Sequence, residues 1–185
     1  LPHLNTLKEI SQMLNEFKSQ ALKNGGARGN LFEVEGAIGN NSDAGLLKFM
    51  CKSASIPASE IGEIIVPWRG RQFKMPGDRT YGDWELTILE DADHNLRDKF
   101  EQWHQTFQLA QANTSEIGDI STPLFQDWKI HWLDRQGARN RTYNFVGCWP
   151  KTVGAYEVAF DNNDNLAEFS VTMSYQWWTS NATDS

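Results

Sequence analysis

The chain has 185 residues, enough for one domain with a substantial core, and its 39% hydrophobic and 22% charged content is that of a soluble globular protein. A formal net charge of −7 argues against a surface that grips nucleic acid through clustered Lys and Arg, though not against one past which nucleic acid slides. Two cysteines, Cys51 and Cys148, are too few for a disulfide framework and read as buried thiols in a reducing setting. No stretch has the length and apolarity of a membrane span. Eight Trp are an excess, and composition leaves two readings open: an aromatic core, or more interface than a monomer needs.

In chain order, Leu4, Leu7, Ile10, Leu14, Phe17 and Ala21 recur at helical spacing, and Thr6 with Glu9 fits a capping box. These predict an amphipathic helix over 6–23, followed by a Gly-rich hinge at 24–29. Strand signals then begin. Leu31–Ile38 alternates with Phe32, Val34 and Ile38 on one side, 39–45 is turn-rich, and Leu46–Ser53 reads as a second strand.

Ser55–Gly77 combines Pro57, Gly62, Pro67, Gly70, Pro76 and Gly77 with apolar Ile61, Ile64, Ile65, Val66, Trp68 and Phe73. The mixture predicts an extended hairpin reaching away from the body, since prolines confine a strand to an edge. Pro76–Thr80 reads as the corner where it returns. Trp84, Leu86 and Ile88 alternate as a strand, and Asp91 or Asp93 then suits the start of a helix. Along that helix Leu96, Phe100, Trp103 and Phe107 form an apolar stripe.

After a loop over 111–124, Trp128, Ile130 and Trp132 alternate on one face, with His131 on the other. Asp134–Ala138 is a turn, Tyr143 and Phe145 lie on the returning strand, and Pro150 is expected to end it. A short strand at Tyr156–Phe160 and an Asp/Asn turn at 161–165 follow. The last strand sets Phe169, Val171, Met173, Tyr175 and Trp177 against Glu168, Ser170, Thr172, Ser174 and Gln176. One face is apolar and the other polar, the pattern of a sheet with a wet side.

The sum is a mainly β chain with one central helix: an antiparallel barrel or sandwich (28–178) behind an N-terminal helical extension and hinge (1–27), with a polar tail (179–185). The pattern of a catalytic or metal site is lacking, so no catalytic, metal or cofactor residue is assigned. The Asp161–Asn165 run fails as a calcium loop because Leu166 stands where Gly is needed and Thr172 where Glu is needed. His94 and His104 are too far apart to ligate together, and neither cysteine has a zinc-spaced neighbour. Arg69, Arg71, Lys74 and Arg79 form one basic stretch, and Arg135, Arg139 and Arg141 another. Either could be solvated surface, a weak nucleic-acid contact, or a match for Glu90, Asp91 and Asp93 on another copy.

Gly77-Asp78-Arg79-Thr80, then Asp83-Trp84 and an alternating strand, then a helix with Arg97, Phe100 and Trp103, resemble the tail tube protein family of T4-type contractile-tailed phages. Asn30–Val34, Gly147-Cys148-Trp149-Pro150 with Val153-Gly154, and Phe169–Trp177 resemble the same family in order and spacing. The likeness covers roughly 28–178, leaving the N-terminal helix and the tail after Trp178 outside it. It implies a non-enzymatic virion protein whose hexameric rings close an inner β barrel and stack into a hollow tube, assembled in the host cytoplasm. Related tubes serve type VI secretion and phage-tail-like injection, and a tube of either kind is the near alternative within the same fold.

The implied partners are other copies of the chain, a tail sheath protein, a baseplate tube initiator, a tail terminator, a tape measure protein, and genome DNA passing without sequence-specific binding. The hairpin, with Ile61, Ile64, Val66, Trp68, Arg69, Arg71, Phe73 and Arg79, becomes the inter-ring arm. Glu168, Ser170, Thr172, Ser174 and Gln176 are expected to face an acidic or neutral lumen, with their apolar neighbours packed under the helix stripe. From a different class, a monomeric β-barrel carrier of a small apolar ligand remains an alternative; it needs an apolar interior, where the last strand offers a polar face.

Overall fold

A computed structural model describes residues 12–21, 26–39, 44–108, 124–155 and 165–183. All but the last residue of the expected 111–124 loop, the Tyr156–Phe160 strand and most of the 161–165 turn lie outside the described residues, as do 1–11 and 22–25. Helix α1 covers residues 12–21 and closes on a π turn at Phe17–Ala21. Its Met13, Leu14 and Phe17 are exposed.

Strand β1 is Phe32–Glu35. Helix α2, Ala44–Met50, then replaces the first part of the strand expected over Leu46–Ser53; only Cys51–Ala54 is strand, β2. Leu47, Lys48 and Met50 are not β-branched and lose little rotamer freedom in a helix. The burial pattern is helical: Leu47 is buried and Met50 packs on the core, while Phe49 is 75% exposed. A strand would have put Leu47 and Phe49 on one face.

Among the described residues, strands β3, Ser59–Trp68, and β4, Arg71–Tyr81, pair only with each other, in a separate two-stranded sheet. Strand β5 is Trp84–Leu89 and helix α3 is Asn95–Phe107. The start of α3 is held by Asp91, whose carboxylate accepts from the Leu96 amide at 3.4 Å and the Asn95 side chain at 3.2 Å. Strands β6, Gln126–Leu133, β7, Arg139–Val153, β8, Glu168–Ser174, and β9, Trp177–Ser180, complete the fold. The Asp134 turn between β6 and β7 is fixed by its own carboxylate, which accepts from the amides of Gln136 and Ala138 at 2.9 and 2.8 Å.

The main sheet is antiparallel in the order β1-β6-β7-β8-β5-β2, with β9 also on β7. Among the described residues no ladder joins β1 to β2, so the sheet is an open, bent sandwich. Its bend lies in β7. The proximal half of that strand pairs with β6 and β9, and the distal half with β8. Gly147 sits at the change with φ of 66°, a left-handed conformation that a side chain would strain. Its amide donates to the Asp127 carboxylate at 3.0 Å.

Two sequence expectations fail at this end of the sheet. Pro150 does not stop β7: it stands opposite Met173, and the ladder resumes after a register shift between Pro150 and Thr152. A bulge absorbs the missing N–H. The last strand breaks after Ser174, and Trp177 enters β9 with 48% exposure instead of packing under α3.

The core is aromatic. Trp84 stacks on Phe145 at 4.2 Å, Trp103 lies 6.3 Å from Trp128 and nearly parallel, and Phe100 meets Phe169 edge-on at 6.1 Å. The Trp128 and Trp103 indoles donate to the carbonyls of Ala37 and Leu124 at 2.9 and 2.8 Å. Trp84, Trp103 and Trp128 are buried, Trp132, Trp149 and Trp178 pack at the core's margin, and Trp68 and Trp177 are exposed. The aromatic-core reading thus accounts for six of the eight tryptophans, and Trp68 and Trp177 stand outside it. Of the stripe on α3, Leu96, Phe100 and Trp103 are buried and Phe107 is half-buried.

Candidate assembly surfaces

The arm formed by β3 and β4 has two unlike faces. Cross-strand partners point to the same side. Ile64↔Met75, Val66↔Phe73 and Trp68↔Arg71 therefore share one face, and Glu63↔Pro76, Ile65↔Lys74 and Pro67↔Gln72 the other. The second face carries a Glu63–Lys74 ion pair at 2.8 Å. The first is apolar yet open to solvent: Ile64 is 50%, Trp68 67% and Phe73 62% exposed.

The tip turns at Arg69 and Gly70, with φ of 46° and 79°, the paired left-handed residues of a two-residue hairpin. Arg69 lies over the Trp68 ring at 5.5 Å. The residues expected at the inter-ring contact, from Ile61 to Arg79, all stand on this arm and are exposed. Its bounds are 59–81, so Pro76–Thr80 belongs to β4 and is not a corner.

The second surface is the polar side of β5 and β8. Glu168, Ser170 and Gln176 are exposed and Thr172 and Ser174 half-buried, while Phe169, Val171, Met173 and Tyr175 are buried behind them. Gln176 lies past the end of β8. Glu85 and Thr87 of β5 stand opposite Thr172 and Ser170 and continue the face. Two ion pairs cross it: Lys52 with Glu168, and Lys151 with Asp83 at 2.6 Å.

The third surface is the outer side of β1, β6 and β7. Glu33 meets Lys48 at 3.0 Å and Arg139 at 3.2 Å; Glu35 meets Arg139 and, at 3.1 Å, His131. The other His131 nitrogen lies 2.8 Å from the Thr142 hydroxyl. Burial pushes the Glu33 and Glu35 carboxyls up, but the hydrogen bonds and charges of these partners outweigh it and hold both below the usual range. His131 does face away from Trp128, and it is covered by this network. Of the basic stretch at the β6–β7 turn, Arg139 is thus engaged within its own chain. Burial pushes the Cys51 thiol up to about 12 and that of Cys148 higher still, and both are free. At these values neither is a nucleophile at neutral pH.

The ion pairs on the second and third surfaces are not legible in the sequence. The alternation Phe-Glu-Val-Glu in β1 does set both glutamates on one face, but Lys48 comes from the next helix and His131 and Arg139 from residues about a hundred positions away, so the register is needed to find them.

An exposed apolar arm beside a β sandwich with its own buried core is the kind of surface that marks interaction sites. Residues 13–181 match the family described as phage tail tube protein. The chain is 32% identical over 158 residues to the tail tube protein gp19 of Enterobacteria phage T4, covering 82% of this chain and 90% of that one. It is 25% identical over 123 residues to the tail tube protein of Serratia phage KSP90, covering 66% and 68%. In fold it resembles a chain of the anti-feeding prophage baseplate (TM-score 0.63, 11% identity, 84% and 95% covered). It also resembles one of the sheath/tube terminator of an extracellular contractile injection system (TM-score 0.60, 20% identity, 81% and 92% covered). The chain belongs to the phage tail tube protein family.

Proposed function

We propose that this chain is the wall subunit of the inner tube of a contractile phage tail, six copies closing each ring and rings stacking into a hollow conduit for genome DNA. The observation that carries the reading is the arm. A lone two-stranded hairpin is marginal in water, and this one, anchored at its base by Tyr81, holds the apolar face of Ile64, Val66, Trp68 and Phe73 away from the buried core. Such a face is covered in the working assembly. Contacts of this head-to-tail kind close into rings or extend into filaments, and the arm, including Ile64, Val66, Trp68 and Phe73, is the inter-ring element.

The polar side of β8, with Glu168, Ser170, Thr172 and Ser174, lines the bore in this reading. The protein then acts by enclosing and guiding, without an enzymatic step. Its partners are a sheath outside, an initiator at the baseplate, a terminator at the far end, and a tape measure protein followed by DNA inside. It is assembled in the host cytoplasm and carried in the virion.

Negative-stain electron microscopy of the purified protein tests this directly. Six-fold rings or hollow tubes are the expected outcome. A species that stays monomeric at high concentration rejects the reading.

A further inference from the structure

The polar face of β2, β5, β8 and distal β7 carries two lysines, and both sit at irregularities of the ladder. Lys52 lies where the β2–β5 register shifts between Cys51 and Ser53, and Lys151 where the β7–β8 register shifts between Pro150 and Thr152. A bulge places an extra residue in one strand and re-aims its side chain. Here both re-aimed ammoniums reach across an intervening strand. Lys52 of β2 passes β5 to meet Glu168 of β8, and Lys151 of β7 passes β8 to meet Asp83, the residue before β5, at 2.6 Å. The face also carries a concavity of about 770 Å³. Lys52 is the single cation among the described residues lining it, and Glu168 lines it too.

A wall past which DNA must slide is harmed by lysines that can pair with phosphates, because each phosphate neutralised adds to retention. We infer that the two bulges and their carboxylates sequester the face's lysines, so that a passing polyanion finds no cation to hold. The remaining carboxylate of the face, Glu85, then leaves it weakly repulsive. The inference rests on the reading of this face as the wall of the bore. Asp83 and Glu168 thereby acquire separate roles, since each blocks one lysine.

The test is binding of a short DNA duplex to the full chain, followed by fluorescence anisotropy over a range of salt concentrations. Asp83→Asn and Glu168→Gln are close to isosteric, and both side chains are about half exposed, at 45% and 43%, so the fold is retained; circular dichroism checks this. Each single variant is expected to tighten binding and to steepen the slope of log K against log salt by about 0.9, and the pair by about 1.8. Adding Lys52→Gln and Lys151→Gln to the pair is expected to return binding to the wild-type level. Single and double variants that bind no better than wild type overturn the inference, as does a gain that survives loss of both lysines. The microscopy above decides separately whether tubes form, so the failure of either idea is recognisable without the other.

Discussion

Glu90 follows β5 with its carboxylate 3% exposed and His94 Nδ1 at 3.3 Å. Burial raises its pKa above 4.5, with Asp91 adding to the rise and His94 and Arg97 opposing it. The folded chain therefore holds this proton more tightly than the unfolded chain. Stability attributable to Glu90 falls as pH rises from 4.5 through the raised value. Glu33 and Glu35 have the opposite sign: their stabilisation is present above 4.5 and lost as pH falls through their lowered values. Glu90→Gln should remove the first effect alone. We expect it to stabilise the chain at pH 7 by about 1 kcal/mol, since it relieves a buried acceptor pair without a strong donor. The gain should shrink as urea unfolding curves are taken at progressively lower pH. Destabilisation at pH 7 would show instead that the charge anchors the start of α3. Composition identifies such residues only by type. That Glu90 is buried, and that Arg139 reaches Glu33 and Glu35, follows from register and packing, which a linear pattern does not contain.

At the scale of elements, the arm invites a direct experiment. Val66 and Phe73 stand opposite each other on its apolar face, 39% and 62% exposed. Val66→Glu with Phe73→Glu adds two like charges to that face. The sandwich core is untouched, so the melting temperature of the body should move by no more than about 2 °C, as for exposed substitutions worth a few tenths of a kcal/mol. Ring stacking, read by sedimentation, should be lost. Stacking at the wild-type level would free the arm from its proposed role. Much of this element was legible, because Pro and Gly interrupting an apolar run are incompatible with a central strand. The turn was not. Pro76-Gly77 carries the residues of a turn yet lies within β4, and the reversal falls at Arg69-Gly70, where Arg69 adopts a left-handed backbone despite its side chain. The misreading of Leu46–Ser53 has a similar origin. A short apolar run fits either period, and only the inward Leu47 with outward Phe49 selects the helix. The alternation of β8 was readable because polar and apolar residues separate cleanly, whereas the break after Ser174 has no such marker.

For the whole molecule, α1 stands apart from the core. Met13 is 69%, Leu14 51% and Phe17 55% exposed, and none belongs to the buried cluster. Removing residues 1–24 should therefore leave the unfolding midpoint of the sandwich unchanged while weakening association between copies, which gel filtration and microscopy would register. Equal assembly with and without the segment would place its apolar side elsewhere. The class of fold, mainly antiparallel strands around one helix, was legible from periodicity. Its openness was not, because closure depends on whether β1 and β2 meet, and neither strand's sequence states its neighbour. Strand β7 carries a mechanical consequence. It runs for 15 residues through both halves of the sandwich and bonds to β6, β9 and β8. A pull along it is carried as shear by three ladders at once, so neither half can peel away while the other holds. The bend at Gly147 lets one continuous strand serve both halves, and the sandwich should yield to force as a single unit.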